Sequence, residues 1–149
     1  MNRIMQKFGR VIVPVAAVAV MIGTSYWATA AEKGEQVKVN LTGEEEVPPV
    51  KTSATGSGTI TIAADKSVSG SVTTKGIEGT AAHIHDGAPD KNGPVIIPLT
   101  KGSDNTTWSV PAGAKLTDAQ YEAFKAGNLY VNVHSAAHKG GEIRAQLKP

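Results

Sequence analysis

Short segments in which apolar and polar residues alternate place the strongest constraint on the fold of this chain. Residues 37–41 and 58–63 show this pattern, which is typical of strands with one buried and one solvated face. Six further segments also have the character of strands: 67–73, 81–85, 95–99, 107–110, 129–134 and 142–147. Clusters of Gly, Pro, Asn and Asp separate most of them. This spacing predicts an all-β protein, built as a sandwich or a barrel.

One segment departs from the strand pattern and predicts a short helix over residues 118–126. Thr117 and Gln120 have the spacing of a capping box, in which each side chain bonds the backbone N–H of the other residue. Tyr121 and Phe124 fall on one face of such a helix. Gly127 can end it in the left-handed conformation.

The first thirty residues have the organisation of a secretory signal peptide. Three basic residues among the first ten precede an apolar run over residues 11–23, and Ala-Thr-Ala at 28–30 supplies a small-x-small cleavage site. We therefore expect cleavage after Ala30 and a periplasmic or secreted protein. The alternative is an uncleaved N-terminal anchor, because residues 11–31 could nearly span a bilayer.

Removal of this leader changes the charge of the chain. The whole sequence has 15 Lys+Arg against 13 Asp+Glu, and three of the basic residues but none of the acidic ones lie in the leader. Residues 31–149 are then slightly acidic and sufficient for a single domain.

Their four aromatic residues are too few and too scattered for a base-stacking surface. We therefore expect no nucleic-acid binding and, after cleavage, no membrane attachment.

The four histidines of the chain lie in two short windows. His83 and His85 alternate on a predicted strand, so their side chains leave one face about 6–7 Å apart at the backbone. His134 ends another predicted strand, and the small residues at 135–137 let the chain turn and bring His138 back. If the two windows are adjacent in the fold, three or four imidazole nitrogens can share one ion. We therefore predict a metal site formed by His83, His85, His134 and His138.

The lack of sulfur ligands restricts the choice of metal. The chain has no cysteine, and its three methionines all lie in the leader. Thiolate and thioether sites are therefore excluded, whereas imidazole suits Cu(II), Zn(II) or Ni(II). We expect copper (Cu²⁺), with zinc as the alternative. Asp86 and Glu142, which adjoin the two windows, could orient an imidazole by hydrogen bonds.

Two other interpretations of the histidines stay open, and several neighbouring residues have simpler explanations than a functional one. An isolated His-x-His pair is more often a surface pair than a metal site, and clustered histidines can form a pH switch. We expect residues 44–46, three glutamates, to be a solvated loop, Gly140-Gly141 to be a turn, and Trp108 to belong to the core. Ser135 lacks the G-x-S-x-G context of a hydrolase nucleophile.

Five stretches of the sequence together resemble the CHRD domain, a module named from chordin and also found singly in exported bacterial proteins. They are 41–50 (LTGEEEVPPV), 80–87 (TAAHIHDG), 92–99 (NGPVIIPL), 127–134 (GNLYVNVH) and 140–147 (GGEIRAQL). The family's pattern contains the positions of His83, His85 and His134, but commonly has asparagine or another polar residue at that of His138. The resemblance implies an immunoglobulin-like or dismutase-like β-sandwich and does not imply a settled activity.

The His-x-His strand is also similar to the copper strand of copper-zinc superoxide dismutase. The likeness fails where the dismutase has a further histidine after Gly-Pro, because here Gly93-Pro94 is followed by Val95. The cysteine pair of the dismutase is absent as well. Arg144 could take the place of the anion-guiding arginine of that enzyme, although it falls within a predicted strand.

These observations lead to one expectation and two alternatives. We expect an exported, single CHRD-type domain over residues 31–149, folded as an antiparallel Greek-key or immunoglobulin-like β-sandwich with one short helix. It would bind a divalent transition metal for carriage or buffering. The alternatives are a structural or protein-interaction module without metal, and a copper-dependent enzyme similar to superoxide dismutase. The sequence indicates neither a particular protein partner nor an oligomeric state.

Overall fold

The computed structural model describes residues 34–149, so the predicted signal peptide lies outside the described residues. Within this range no helix is long and apolar enough to cross a bilayer. The elements, in chain order, are β1 (Glu35–Leu41), β2 (Thr55–Ile62), β3 (Val68–Lys75), β4 (Gly79–Asp86), β5 (Val95–Pro98), β6 (Thr100–Lys101), β7 (Thr107–Ser109), α1 (Asp118–Lys125), β8 (Leu129–Ser135) and β9 (Ile143–Leu147).

The strands form two antiparallel sheets. One has the order β1-β2-β3-β7-β6 and the other the order β5-β4-β8-β9. The segment predicted as a strand over 95–99 forms β5 of the four-stranded sheet, and the chain then passes at the buried Leu99 into β6 of the other sheet. Along one edge Thr42, just after β1, pairs with Arg144 of β9 through two backbone hydrogen bonds. The predicted all-β sandwich is confirmed.

The core lies between the two sheets and follows from the alternation in the sequence. Inward-facing apolar residues from both sheets form a single hydrophobic cluster, because successive side chains of a strand leave opposite faces. The five-stranded sheet contributes Val37, Val39, Leu41, Ile60, Ile62, Val68, Val72 and Trp108, and the four-stranded sheet contributes Ala82, Ile84, Ile97, Leu129, Val131, Val133, Ile143, Ala145 and Leu147. The predicted core position of Trp108 is confirmed.

Two local predictions can be compared directly with the strands. The hairpin predicted between residues 58–63 and 67–73 is confirmed, since β2 and β3 pair antiparallel with Ile62 opposite Val68. Strand β2 begins at Thr55, three residues before the predicted strand. Gly140-Gly141 lies in the connection from β8 to β9, as predicted.

Helix α1 begins at the predicted capping box. The Gln120 backbone N–H donates to Thr117 Oγ1 (3.2 Å), and the Thr117 backbone N–H donates to Gln120 Oε1 (2.9 Å). Phe124 is buried against the core, and Gly127 follows the helix with φ +75°. The last helical residue is Lys125, one earlier than predicted.

The cap makes a measurable prediction. Thr117→Ala removes the oxygen that accepts from the Gln120 N–H and should lower the free energy of unfolding by about 1 kcal/mol. Thr117→Ser retains the oxygen and should stay close to the wild type. Urea denaturation followed by circular dichroism measures both, and an equal loss in the two variants would contradict a capping role.

Candidate metal centre

The outward face of the four-stranded sheet is polar, and the register of β4 with β8 brings the two histidine windows onto it. His83 lies opposite Asn132, His85 opposite Tyr130, and Ala81 opposite His134. Because side chains two residues apart share a face, His83, His85, Asn132 and His134 project on the same side. The backbone pairing alone therefore brings three of the histidines together.

The imidazoles of His83, His85 and His134 lie close enough to share one ion. His83 Nδ1 lies 3.0 Å from His134 Nε2, and one nitrogen from each of the three rings falls within 4.8 Å of the others. An ion held at 2.0–2.1 Å in tetrahedral geometry separates its nitrogens by roughly 3.3 Å. Small side-chain rotations would therefore bring all three nitrogens into coordination range.

His138, the fourth predicted ligand, is not in this group. It lies in the turn after β8, where its backbone N–H donates to Ser135 Oγ (3.2 Å). His138 lines a surface cavity of about 560 Å³ together with Glu46 and Gly141. A different cavity of about 440 Å³ adjoins His83 and His134.

Hydrogen bonds fix the orientation of two of the three rings. His134 Nδ1 lies 2.9 Å from the Lys139 carbonyl oxygen. Since a carbonyl only accepts, His134 Nδ1 carries the proton and Nε2 is left to accept from His83 or to bind a metal. His85 Nδ1 faces the Gly93 carbonyl oxygen (3.0 Å) and His85 Nε2 faces Asn132 Oδ1 (2.9 Å). A neutral His85 has one N–H and can satisfy only one of these acceptors.

The orienting groups are not the carboxylates predicted from the sequence. Two main-chain carbonyls and the amide of Asn132 contact the rings instead. Glu142 accepts from Thr52 Oγ1 at 2.7 Å, and the Asp86 carboxylate makes no hydrogen bond to an imidazole in the described part of the chain. The prediction for Asp86 and Glu142 is therefore wrong.

Burial favours the neutral form of His83 and His85. It lowers the pKa of His83, and the neighbouring rings of His134 and His85 lower the pKa further. Burial also lowers the pKa of His85, and hydrogen bonds that the imidazole donates to the Gly93 carbonyl and to Asn132 Oδ1 only partly oppose this. Neutral imidazoles with free lone pairs are thus favoured at neutral pH.

Tyr130 and Arg144 form a stack with His85 across β4, β8 and β9. The His85 ring is parallel to that of Tyr130, with centroids 4.7 Å apart. The guanidinium carbon of Arg144 lies 3.5 Å from the centroid of Tyr130. Strands β4 and β9 flank β8 on opposite sides, so the phenol ring is held between His85 and Arg144.

Arg144 also organises the loop that reaches His85. It is completely buried, and it donates to the carbonyl oxygens of Ala88 (2.9 Å) and Lys91 (3.1 Å). These contacts hold the segment that ends in Gly93, the residue whose carbonyl faces His85. Gly93 itself must be glycine, because a Cβ there would collide with the Asp86 carbonyl oxygen. Arg144 is thus a buried structural residue, and it is not placed to guide anions from solvent.

Glu46 contradicts the prediction that residues 44–46 form a solvated loop. Glu44 and Glu45 are exposed, but Glu46 is only 3% exposed. Burial raises the pKa of Glu46 from 4.5 to about 7, although Arg144 and hydrogen bonds from Asn132 and Val47 oppose the shift. The loop is held over the polar face by Asn92, whose Nδ2 donates to the Val47 carbonyl oxygen at 2.6 Å.

Sequence reasoning missed Asn132 and Tyr130 as parts of the site, and it considered Arg144 only as an anion-guiding residue. Tyr130 and Asn132 precede His134 by four and two residues on one strand, so they share its face. That spacing was a usable signal for both. The burial of Arg144 depends on a loop more than fifty residues away, and no local pattern marks it.

Removal of Arg144 should destabilise the whole polar face. Arg144→Ala empties a completely buried position and leaves the Ala88 and Lys91 carbonyls without their donor, and we expect a loss of about 3 kcal/mol or more in the free energy of unfolding. Arg144→Lys should also be destabilised, because an ammonium cannot reproduce the planar fork. The exposed Lys148 on the same chain end offers Lys148→Ala as a control. A loss below about 1 kcal/mol for Arg144→Ala would contradict this role.

The buried Glu46 predicts a pH-dependent difference between the wild type and Glu46→Gln. The pKa of Glu46 is higher in the folded state, so the folded protein binds more protons between pH 4.5 and about 7. As the pH rises through this range, the free energy of unfolding of the wild type should therefore fall relative to that of the variant, by about 3 kcal/mol in total. Denaturation of both proteins at pH 4.5 and pH 8 measures the difference. Glu44→Gln, at an exposed position, should show no such trend.

Comparison with known proteins identifies the family of this domain. The family model of the CHRD domain matches residues 37–147, a range that runs from β1 to β9 and includes the three clustered histidines. Curated protein sequences and solved structures give no significant match. A relationship to copper-zinc superoxide dismutase is not shown. The chain belongs to the CHRD-domain family.

Proposed function

We propose that this CHRD-domain protein is exported and binds a divalent transition metal through His83, His85 and His134. The observation that carries the proposal is the convergence of one nitrogen from each ring within 4.8 Å. Three ligands from two paired strands form a site whose geometry is set by the sheet. We propose copper as the metal, with zinc as the alternative, and carriage or buffering of the metal as the role.

The chemistry of the donors supports a borderline transition metal. The site offers three imidazoles, and residues 31–149 contain no sulfur. Imidazole nitrogen favours Cu(II) and Zn(II) over calcium and magnesium, and copper lies above zinc in the usual order of affinities. Desolvation holds the pKa values of His83 and His85 low, so a metal meets little competition from protons at neutral pH.

The surroundings of the site support reversible binding. His83 and His134 line a cavity of about 440 Å³ together with Ala81, Ser135 and Lys139. His85 is not among the lining residues and is only 7% exposed. A metal would therefore enter and leave past His83 and His134. Export is proposed from the N-terminal pattern of the sequence.

Titration of the purified protein with Cu(II) and Zn(II) tests this function. We expect binding with Kd in the micromolar range or tighter, and a loss of at least about 100-fold in the double variant His83→Ala/His85→Ala, because two of the three ligands are removed. His138→Ala is the matched control, since His138 lies outside the cluster, and it should retain the wild-type affinity.

The outcomes are distinct. Weak wild-type binding that the double variant leaves unchanged would refute the metal site and favour a structural or interaction module. A loss in His138→Ala comparable to that in the double variant would bring His138 into the ligand set. Isothermal calorimetry gives the affinities and the number of ions bound.

A further inference from the structure

The three clustered imidazoles do not complete the coordination of a transition metal ion. Zinc takes four ligands and copper(II) at least four, whereas His83, His85 and His134 offer one nitrogen each. Among residues 34–149 no further histidine, aspartate or glutamate joins this group. An ion held by the three rings would therefore keep at least one coordination position for another ligand.

The burial of the rings indicates where this further ligand would come from. His83 and His134 line the cavity of about 440 Å³, whereas His85 does not line it and is 7% exposed. A molecule from solvent therefore reaches the centre of the cluster past His83 and His134. The other residues that line this cavity are Thr80, Ala81, Ser135, Ala136 and Lys139.

The cluster offers nothing to offset the charge of a divalent cation. Three neutral imidazoles leave the ion with its full double charge. Besides burial, the groups that lower the pKa of His83 and His85 are the neighbouring rings and Arg144, none of which is an acid. Glu142 lines a neighbouring cavity and accepts from Thr52 Oγ1 at 2.7 Å. A partly buried cation without a counter-charge is costly, so the loaded centre would attract an anion.

Lys139 adds a positive charge at the mouth of the centre. It is exposed, and it forms no salt bridge with any residue that the structure describes. Its main-chain carbonyl oxygen lies 2.9 Å from His134 Nδ1, so its backbone is held beside a candidate ligand. Thr80 and Ser135 contribute only neutral hydroxyl groups to the same cavity. The cavity therefore combines a cationic side chain with access to the metal.

We propose that the loaded metal centre binds a small monovalent anion as an additional ligand, in the cavity lined by His83, His134 and Lys139. This inference rests on the proposed metal-binding function and names the class of molecule that the loaded site takes. The anion would offset part of the charge of the ion and would be attracted by the Lys139 ammonium. A neutral molecule gains neither interaction, and a cation is repelled by both charges.

Titration of the copper-loaded protein with azide tests the proposal. Azide bound to Cu(II) gives a charge-transfer absorption band that free azide lacks, so the band reports direct coordination. At constant ionic strength we expect a band that saturates with azide and weakens when chloride or formate competes. Perchlorate, which coordinates metals poorly, should produce no change. If azide gives no band while dialysis shows that copper stays bound, the proposal is overturned.

Variants of Lys139 test its part in binding the anion, with copper bound throughout. Lys139→Gln removes the charge but keeps the main-chain carbonyl, and we expect azide affinity to fall about two- to fivefold. Lys139→Arg keeps the charge and should retain the wild-type affinity. Lys148→Gln makes the same change in net charge at another exposed position and should have no effect. Equal azide affinity in Lys139→Gln and the wild type would refute the role of Lys139.

The variant His138→Ala distinguishes an external anion from a fourth histidine. His138 lies outside the cluster and lines a different cavity, so we expect the wild type and His138→Ala to bind azide equally. A band that appears in His138→Ala but not in the wild type would show that His138 occupies the remaining position. That result would overturn the proposal.

The failure of this inference is distinguishable from that of the proposed function. A wild-type protein that binds neither Cu(II) nor Zn(II) refutes both. Copper that stays bound and gives no azide band refutes the inference alone and leaves the metal-binding function in place. If the protein binds Zn(II) but not Cu(II), Co(II) replaces zinc as a coloured probe, and an unchanged visible spectrum on addition of azide overturns the inference.

Discussion

The burial of strand β8 on both faces is the constraint on which the site depends. Its inward side chains, Leu129, Val131 and Val133, pack in the core, while its outward side chains, Tyr130, Asn132 and His134, are also buried. Buried polar groups are costly unless they are hydrogen-bonded. Each outward side chain therefore requires a partner, and these partners are supplied by β4, by β9 and by two covering loops.

Arg144 is the partner that connects the sheet, the covering loops and the histidines. A buried guanidinium without acceptors would be strongly destabilising, so the chain folds main-chain carbonyls from residues 88 and 91 back onto it. The same loop then presents the Gly93 carbonyl to His85 and the Gly93 N–H to Tyr130 Oη. The positive charge in the sheet thereby also attracts Glu46, although desolvation is the larger effect on its pKa. One buried cation thus links sheet, loops and histidines.

The sequence predicted the parts of this arrangement that depend on local spacing. The period-two pattern of β1 and β2, the Thr117–Gln120 cap and the common face of His83 and His85 all follow from residues close together in the chain. The burial of Glu46 could not be predicted in this way. Its partner Asn132 lies 86 residues away. The adjacent Glu44 and Glu45 are exposed to solvent, so three consecutive glutamates differ in burial. Adjacency in sequence points to Asp86 and Glu142, whereas the imidazoles bond to carbonyls that lie close to them only in the folded loops.

The three candidate ligands differ in how firmly they are held, and this bears on what the site can do. His85 is stacked on Tyr130 and has an acceptor at each nitrogen, so its ring is the most firmly held of the three. His134 is anchored through Nδ1 alone, and His83 contacts His134 through the nitrogen that a metal would need. A metal ion held by all three rings would replace that imidazole–imidazole hydrogen bond and one of the two contacts of His85. The rearrangement would therefore extend from the solvent-facing cavity to the buried His85.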